Sequence, residues 1–264
     1  MENLFDRVIV GAGPPVVLIH GTGVDAATNW GPLIEVIRDR YTIIAPNLPG
    51  AGATPEPDEP LSVEGLAANV IATARSAGAQ RFHLIGHSLG AVIATAVAAH
   101  APDSVASLCL HAGWLRTRAR EAFMFDLWAR LLRSDRSLLA RHLILTAMGP
   151  DMLRSLDEAK FAEFEAGFST QIGERILAQI ELDARVDLRS CIGRVSAPTL
   201  VLASAHDQLL PTYHQRELAD AIAGARYQEV PGGHGLPLED PARFAAIVAE
   251  FIDTQQAAGS APRL

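Results

Sequence analysis

Five residues, Gly86-His87-Ser88-Leu89-Gly90, have the types and spacing of a turn that presents a nucleophile. An apolar run, Phe82 to Ile85, precedes them, and an Ala-rich run to His100 follows. That places the serine between a strand and a helix. Glycine is favoured two residues to either side, because a side chain there would collide with a serine held in a strained backbone. The turn pushes the hydroxyl outward, and the helix N-terminus favours negative charge that develops beside it. For the five residues alone, a chance match is the competing reading; the flanking strand and helix weigh against it.

A serine hydroxyl needs a base, the base needs an orienting acid, and an oxyanion needs donors. Of nine histidines, His234 stands out. It lies in Pro231-Gly232-Gly233-His234-Gly235, where flanking glycines let the backbone carry an imidazole close to another segment. A turn histidine with no chemical role is the competing reading. The acid candidate is Asp207, just after an apolar run at 199–203; its competing reading is a cap on the helix that follows Pro211. The loop His111-Ala112-Gly113-Trp114 holds no rival acid. The donors expected are the Leu89 N–H, next to the serine, and the Thr22 N–H in His20-Gly21-Thr22-Gly23. His20 reads as a residue that shapes that loop, and His87 as one that points away from Ser88 and bonds locally.

These residues must be positioned by strand ends. Strands are expected at Arg7–Val10, Val16–Ile19, Tyr41–Ala45, Phe82–Ile85, Val105–Leu110, Thr199–Ala203 and Tyr227–Val230. Helices are expected at 31–38, from an N-cap at Ser62 to about 77, after Ser88, at 213–223 and at 241–252. Gly11 to Pro15 reads as a hairpin turn. The string Val8 to Gly13 resembles the start of a dinucleotide-binding loop, but the third glycine would fall at Val16, where a strand follows instead of a helix. Residues 255–264 read as frayed. Alternating strands and helices predict an α/β fold: a mostly parallel central sheet of about seven strands with helices on both faces. Sites in such sheets lie at the carboxyl ends of strands, where every candidate above falls.

From Trp114 to about Arg185 the periodicity is helical throughout. Phe123, Leu127, Leu131 and Leu132 share one face; Leu138, His142, Leu145 and Met148 form a second group. The expected organisation is a core of residues 1–113 and 187–264 with a helical cap at 114–186, too long for a plain connection and so a cover for something. Seven arginines lie between Arg116 and Arg141 against Glu121, Asp126 and Asp135; a solvated face is preferred over an anion site. Trp30, His111, Trp114, Phe123 and Trp128 are candidate pocket residues.

The chain has 264 residues and a formal charge of -8, which argues against nucleic acid as a main partner. No apolar run is long enough to span a bilayer, and the first residues do not read as a signal peptide, so a cytoplasmic location is expected. Cys109 and Cys191 are in no metal-ligand spacing and read as free buried thiols. No cofactor and no metal are expected. The expected partner is a small-molecule substrate, and self-association as a homodimer stays open.

HGTG at 20–23, GHSLG at 86–90, Asp207 ahead of Pro211 and GGHG at 232–235 together resemble the α/β-hydrolase fold superfamily, in the order Ser88, Asp207, His234. Within it the chain is similar to the capped cytoplasmic group of enol-lactonases, aminoacrylate hydrolases and meta-cleavage-product hydrolases; the run from Leu182 to Pro211 carries that similarity. The resemblance implies a serine hydrolase acting on an ester, lactone or thioester. Two other readings stand beside it: a lyase that uses the same residues for elimination or C–C cleavage, and a ligand-binding member without catalysis. The family usually has two strands before the HGxG strand, and only one fits here, so an eight-stranded sheet is not expected.

Overall fold

The structure is a computed structural model that describes residues 4–260. Among the described residues the sheet has seven strands: β1 (Arg7–Val10), β2 (Pro15–Ile19), β3 (Thr42–Pro46), β4 (Phe82–His87), β5 (Val105–His111), β6 (Thr199–Ser204) and β7 (Arg226–Val230). Their order across the sheet is β1-β3-β2-β4-β5-β6-β7, and each pair is parallel except β1 with β3.

The predicted hairpin between the first two strands does not form. β1 pairs with β3, in the register Arg7 with Pro46, instead of with β2. Gly11 (φ 85°) and Gly13 (φ 126°) make this route available. They carry the chain so close across the 38–41 turn that a Cβ on either would overlap a backbone carbonyl there.

Successive side chains of β2 alternate between two hydrophobic layers. Val16 and Leu18 join Trp30, Phe244 and Val248, beneath α1 (Ala26–Ile37) and α11 (Pro241–Ser260). Val17 and Ile19 join α2 (Val63–Ser76) and α3 (Leu89–His100) on the other face. Every residue of α3 from Leu89 to Ala99 is buried, which accounts for its alanines: small side chains let a helix lie close against a sheet. Ser62 caps α2 as expected, its Oγ accepting from Gly65 N–H at 3.1 Å. α1 starts five residues earlier than predicted, at an Asp25 cap, so Pro32 lies inside it rather than in its first turn. α11 runs on through 255–260, where fraying was predicted, and Gln256 Oε1 meets His83 Nε2 at 3.0 Å; residues 261–264 lie outside the described residues.

Between β5 and β6 the chain forms α4 (Ala119–Ser134), α5 (Arg136–Ala147), α6 (Pro150–Ser155), α7 (Glu158–Gln171) and α8 (Leu177–Asp183). Two of their inward faces differ from the sequence reading. Phe123 and Leu127 are exposed (77% and 38%), and α4 turns Phe125, Trp128, Ala129 and Leu132 inward. On α5, Leu138 and Leu145 face out while Leu139, Ala140 and Ile144 are buried. Each helix carries two apolar stripes of correct spacing, and packing selects one. α9 (Tyr213–Asp220) and the single turn α10 (Leu236–Glu239) complete the chain. Among the described residues no helix is long and apolar enough to cross a membrane.

Glycine is required where α3 meets the sheet. A Cβ at Gly90 would overlap the Ile19 carbonyl oxygen, whereas one at Gly31, inside α1, would meet nothing within 4 Å. Gly90→Ala should therefore cost about 3 kcal/mol or more, and Gly31→Ala should add roughly 0.5–1 kcal/mol of helix propensity. Urea denaturation of the two variants beside the parent tests the contrast; equal effects would refute it.

Candidate active site

The β4–α3 junction holds Ser88 at φ 55°, ψ -122°. Among the described residues Ser88 and Ala112 are the two non-glycine residues with positive φ. They sit on adjacent strand ends, and Ser88 N–H donates to the His111 carbonyl at 2.9 Å. Such a backbone costs roughly 1–3 kcal/mol and persists only where its surroundings impose it. Here they do. A Cβ at Gly86 would overlap the start of α3, and one at Gly90 would overlap the end of β2. The glycines thus relieve contacts with the backbone of α3 and β2.

Asp207 lies past the end of β6. Its Oδ1 accepts from the N–H groups of Leu209 (2.9 Å) and Leu210 (2.8 Å), and its Oδ2 accepts from His234 Nδ1 at 2.8 Å. Both residues are buried. A carboxylate only accepts, so Nδ1 carries the imidazole proton and leaves Nε2 as the basic nitrogen. The histidine loop is tied down on two sides. Glu239 accepts from Gly233 N–H (3.0 Å) and Gly149 N–H (2.9 Å), and Gly235 N–H donates to the Ala147 carbonyl at 2.9 Å. A Cβ on Gly233 would overlap that carbonyl, so the close approach expected of the flanking glycines is an approach to the end of α5.

The loop after β2 is shaped by His20, whose Nε2 accepts from Leu48 N–H at 2.9 Å while Nδ1 donates to the Gly21 carbonyl at 2.8 Å. Burial pushes its pKa down to about 4, so it stays neutral. Gly21 N–H donates to Asn29 Oδ1 (3.0 Å) and Gly23 N–H to Gln179 Oε1 (3.2 Å). Between them, Thr22 Oγ1 donates to Asp183 Oδ2 at 2.6 Å.

Thr22, His87, Ser88 and His234 form the polar side of one cavity. Its volume is about 80 Å³. The opposite side is apolar: Trp128, Leu139, Leu143, Met148, Phe168 and Ile172 from the inserted helices, with Ile176, Ile180, Leu209 and Leu238. No Asp, Glu, Lys or Arg is among the described lining residues.

The model of the alpha/beta hydrolase family matches residues 16–247. The chain belongs to the α/β-hydrolase family. It is similar to the pyrrolizixenacetamide deacetylase of Xenorhabdus hominickii, 34% identical over 246 residues and 92% of each chain. In fold it is similar to the enol-lactonase of Burkholderia xenovorans (TM-score 0.85, 24% identical, 94% of this chain and 96% of that one). It also resembles a thermophilic esterase of Thermogutta terrifontis (TM-score 0.82, 23% identical, 95% and 93%). As a family member with relatives named as hydrolases, it is an enzyme that hydrolyses small molecules.

In this α/β-hydrolase, Ser88, His234, Thr22 and Trp128 line one cavity, Asp207 stands behind His234, and Leu89 opens α3 beside Ser88. Four predicted pocket residues do not line it. Phe123 faces solvent. Trp30 is buried beneath the site against Phe244, with ring centroids 6.0 Å apart. Trp114 packs on Phe125 and gives its Nε1–H to Thr117 Oγ1 at 2.9 Å. His111 is buried with its ring 5.1 Å from that of His87 and its Nε2 3.0 Å from Ser204 Oγ. Large aromatics bury most area in the core, and Trp30 and Trp114 do so. His87 also departs from the reading. It lines the cavity and bonds at long range, donating from Nε2 to the His234 carbonyl at 3.1 Å. Burial, with His111 and His234 beside it, holds its pKa well below the ordinary value.

Gln179 and Asp183, which fasten the loop of the predicted oxyanion donor, escaped the sequence reading. Both sit on α8 four residues apart, a one-face spacing that could have flagged them. Asp183 is buried, and its Oδ1 has no partner. Burial drives its pKa up to about 8, which the Thr22 hydrogen bond only partly opposes. The native state therefore keeps a proton that the unfolded chain releases near pH 4, and stability falls as pH rises from there toward 8. Asp183→Asn removes that linkage. Its melting temperature should exceed the parent's by roughly 5 °C at pH 8 and by little at pH 4.5; a constant offset across that range would refute the assignment.

Proposed function

We propose that this enzyme is a serine hydrolase that cleaves the acyl bond of an ester, lactone, thioester or amide whose acyl part is small and uncharged. Ser88 Oγ attacks the acyl carbonyl while His234 Nε2 takes its proton. The N–H groups of Thr22 and Leu89 receive the oxyanion. As the tetrahedral intermediate collapses, His234 returns the proton to the departing alcohol, thiol or amine, leaving an acyl group on Ser88. His234 then takes a proton from water as it attacks the acyl carbon; collapse of this second intermediate breaks the bond to Ser88 Oγ, which takes the proton back from His234, and the acid is released. Asp207 holds the imidazole in the tautomer that both halves need.

The observation that carries this reading is the 2.8 Å contact of His234 Nδ1 with Asp207 Oδ2, with the ring in the wall of the cavity that Ser88 lines. The uncharged acyl group follows from a lining without charged side chains, since a carboxylate moved into such a site would lose its hydration with nothing to replace it. The relative named as a deacetylase of an acetamide supports a short acyl group and the inclusion of amides.

Intact-mass spectrometry after brief mixing with p-nitrophenyl acetate should reveal an acetyl increment on the parent and none on Ser88→Ala. Turnover should fall by about 10⁴-fold or more in that variant. Hydrolysis in heavy-oxygen water should label the acid product. Absence of both adduct and ester turnover would overturn the reading, and an unlabelled product would favour elimination.

A further inference from the structure

Among the seven arginines from Arg116 to Arg141, five pair with carboxylates at the surface: Arg118 with Glu217, Arg130 with Asp126, Arg133 with Glu181, Arg136 with Glu174 and Arg141 with Glu165. Arg120, the second residue of α4, does something else. Its Nη2 donates to the Gln208 carbonyl at 2.6 Å and its Nη1 to the Leu209 carbonyl at 2.9 Å. Those carbonyls belong to the same two peptide groups whose N–H ends, at Leu209 and Leu210, donate to Asp207 Oδ1. Two consecutive peptides are thus gripped at both ends, by a guanidinium on the oxygens and a carboxylate on the nitrogens. A cation on a carbonyl polarises the peptide and strengthens its N–H as a donor.

The grip is anchored in the core. Nη1 also lies 3.1 Å from Oε1 of Glu121, which is 1% exposed. Glu121 accepts from the Arg118 N–H at 3.3 Å and the Tyr213 hydroxyl at 3.2 Å, and His214 Nε2 lies 3.0 Å from it without hydrogen-bond alignment. The start of α4 is held against α9, and Arg120 reaches from it over the Asp207 loop. A fork of parallel donors suits two adjacent carbonyls in a way a lysine ammonium does not.

We infer that Arg120 is a positioning residue for the catalytic dyad: it fixes the peptides that hold Asp207, and through Asp207 it fixes the imidazole of His234. The inference rests on the proposed roles of Asp207 and His234. It couples the docking of the inserted helices to the competence of the base, so that the segment that walls the cavity also sets the acid.

Steady-state kinetics with p-nitrophenyl acetate and proton NMR of the downfield His234 Nδ1–H resonance test it together. Arg120→Gln should lower kcat by about 10–100-fold with KM nearly unchanged, and should shift or broaden that resonance. Arg120→Lys should fall between it and the parent, and Arg130→Gln should match the parent. Arg120→Met, which keeps the stem packed, is read in the same way should Arg120→Gln not fold. Parent-like kcat and resonance in the neutral Arg120 variants, beside an Asp207→Asn variant that is inactive, would overturn this inference and leave the dyad standing. Full activity in Asp207→Asn would instead bring down the dyad, and this inference with it.

Discussion

The backbone of α3 lies so close to β2 and β4 that no side chain fits between them at Gly86 or Gly90. The rest of the site depends on that contact. To enter a helix packed this tightly the chain must reverse within one residue, and Ser88 takes up the reversal at φ 55°. The strain is held by a layer in which every α3 residue from Leu89 to Ala99 is buried. With about 1.5–3 kcal/mol for each large apolar side chain buried, the layer outweighs a local cost of roughly 1–3 kcal/mol. The hydroxyl is exposed to the cavity because the backbone has nowhere else to go.

A parallel sheet ends in loops, and loops alone do not hold atoms to a few tenths of an ångström. Here the inserted helices brace them. α4 grips the Asp207 loop through Arg120, the end of α5 receives the His234 loop at Ala147 and Gly149, and α8 fastens the Thr22 loop through Gln179 and Asp183. The same helices supply most of the apolar wall opposite Ser88. Covering the site and rigidifying it are one structural act. The cost is visible at Asp183, a buried carboxyl with one oxygen unpartnered, which the fold tolerates by keeping it protonated through neutral pH.

Much of this was legible in the residues. The strands fall within two residues of expectation, because buried parallel strands are short apolar runs ended by turn residues. The placement of Ser88, Asp207 and His234 was legible too, since each sits at a strand end in a turn whose glycines or proline mark it. The pocket was not. Trp30, His111, Trp114 and Phe123 are aromatic or polar enough to suggest a site, but aromatic type does not say which side of a sheet end a ring lies on. Phe123 and Phe125, two residues apart on α4, satisfy the same periodicity and end on opposite faces.

By itself, then, the sequence determined the strand-turn-helix alternation, the seven strands, and the placement of Ser88, Asp207 and His234 at strand ends. Those are local matters: side-chain periodicity, glycine at forced turns, and the absence of a rival acid in the loop after β5. Tertiary structure alone decided that β1 joins β3 instead of β2, and which stripe of each inserted helix faces in. It alone paired Arg120 with two carbonyls 88 and 89 residues away, and Asp183 with a threonine 161 residues away. Arginines on an amphipathic helix are alike in sequence. What distinguishes one of them is the partner that packing brings within 3 Å, and no local pattern encodes that partner.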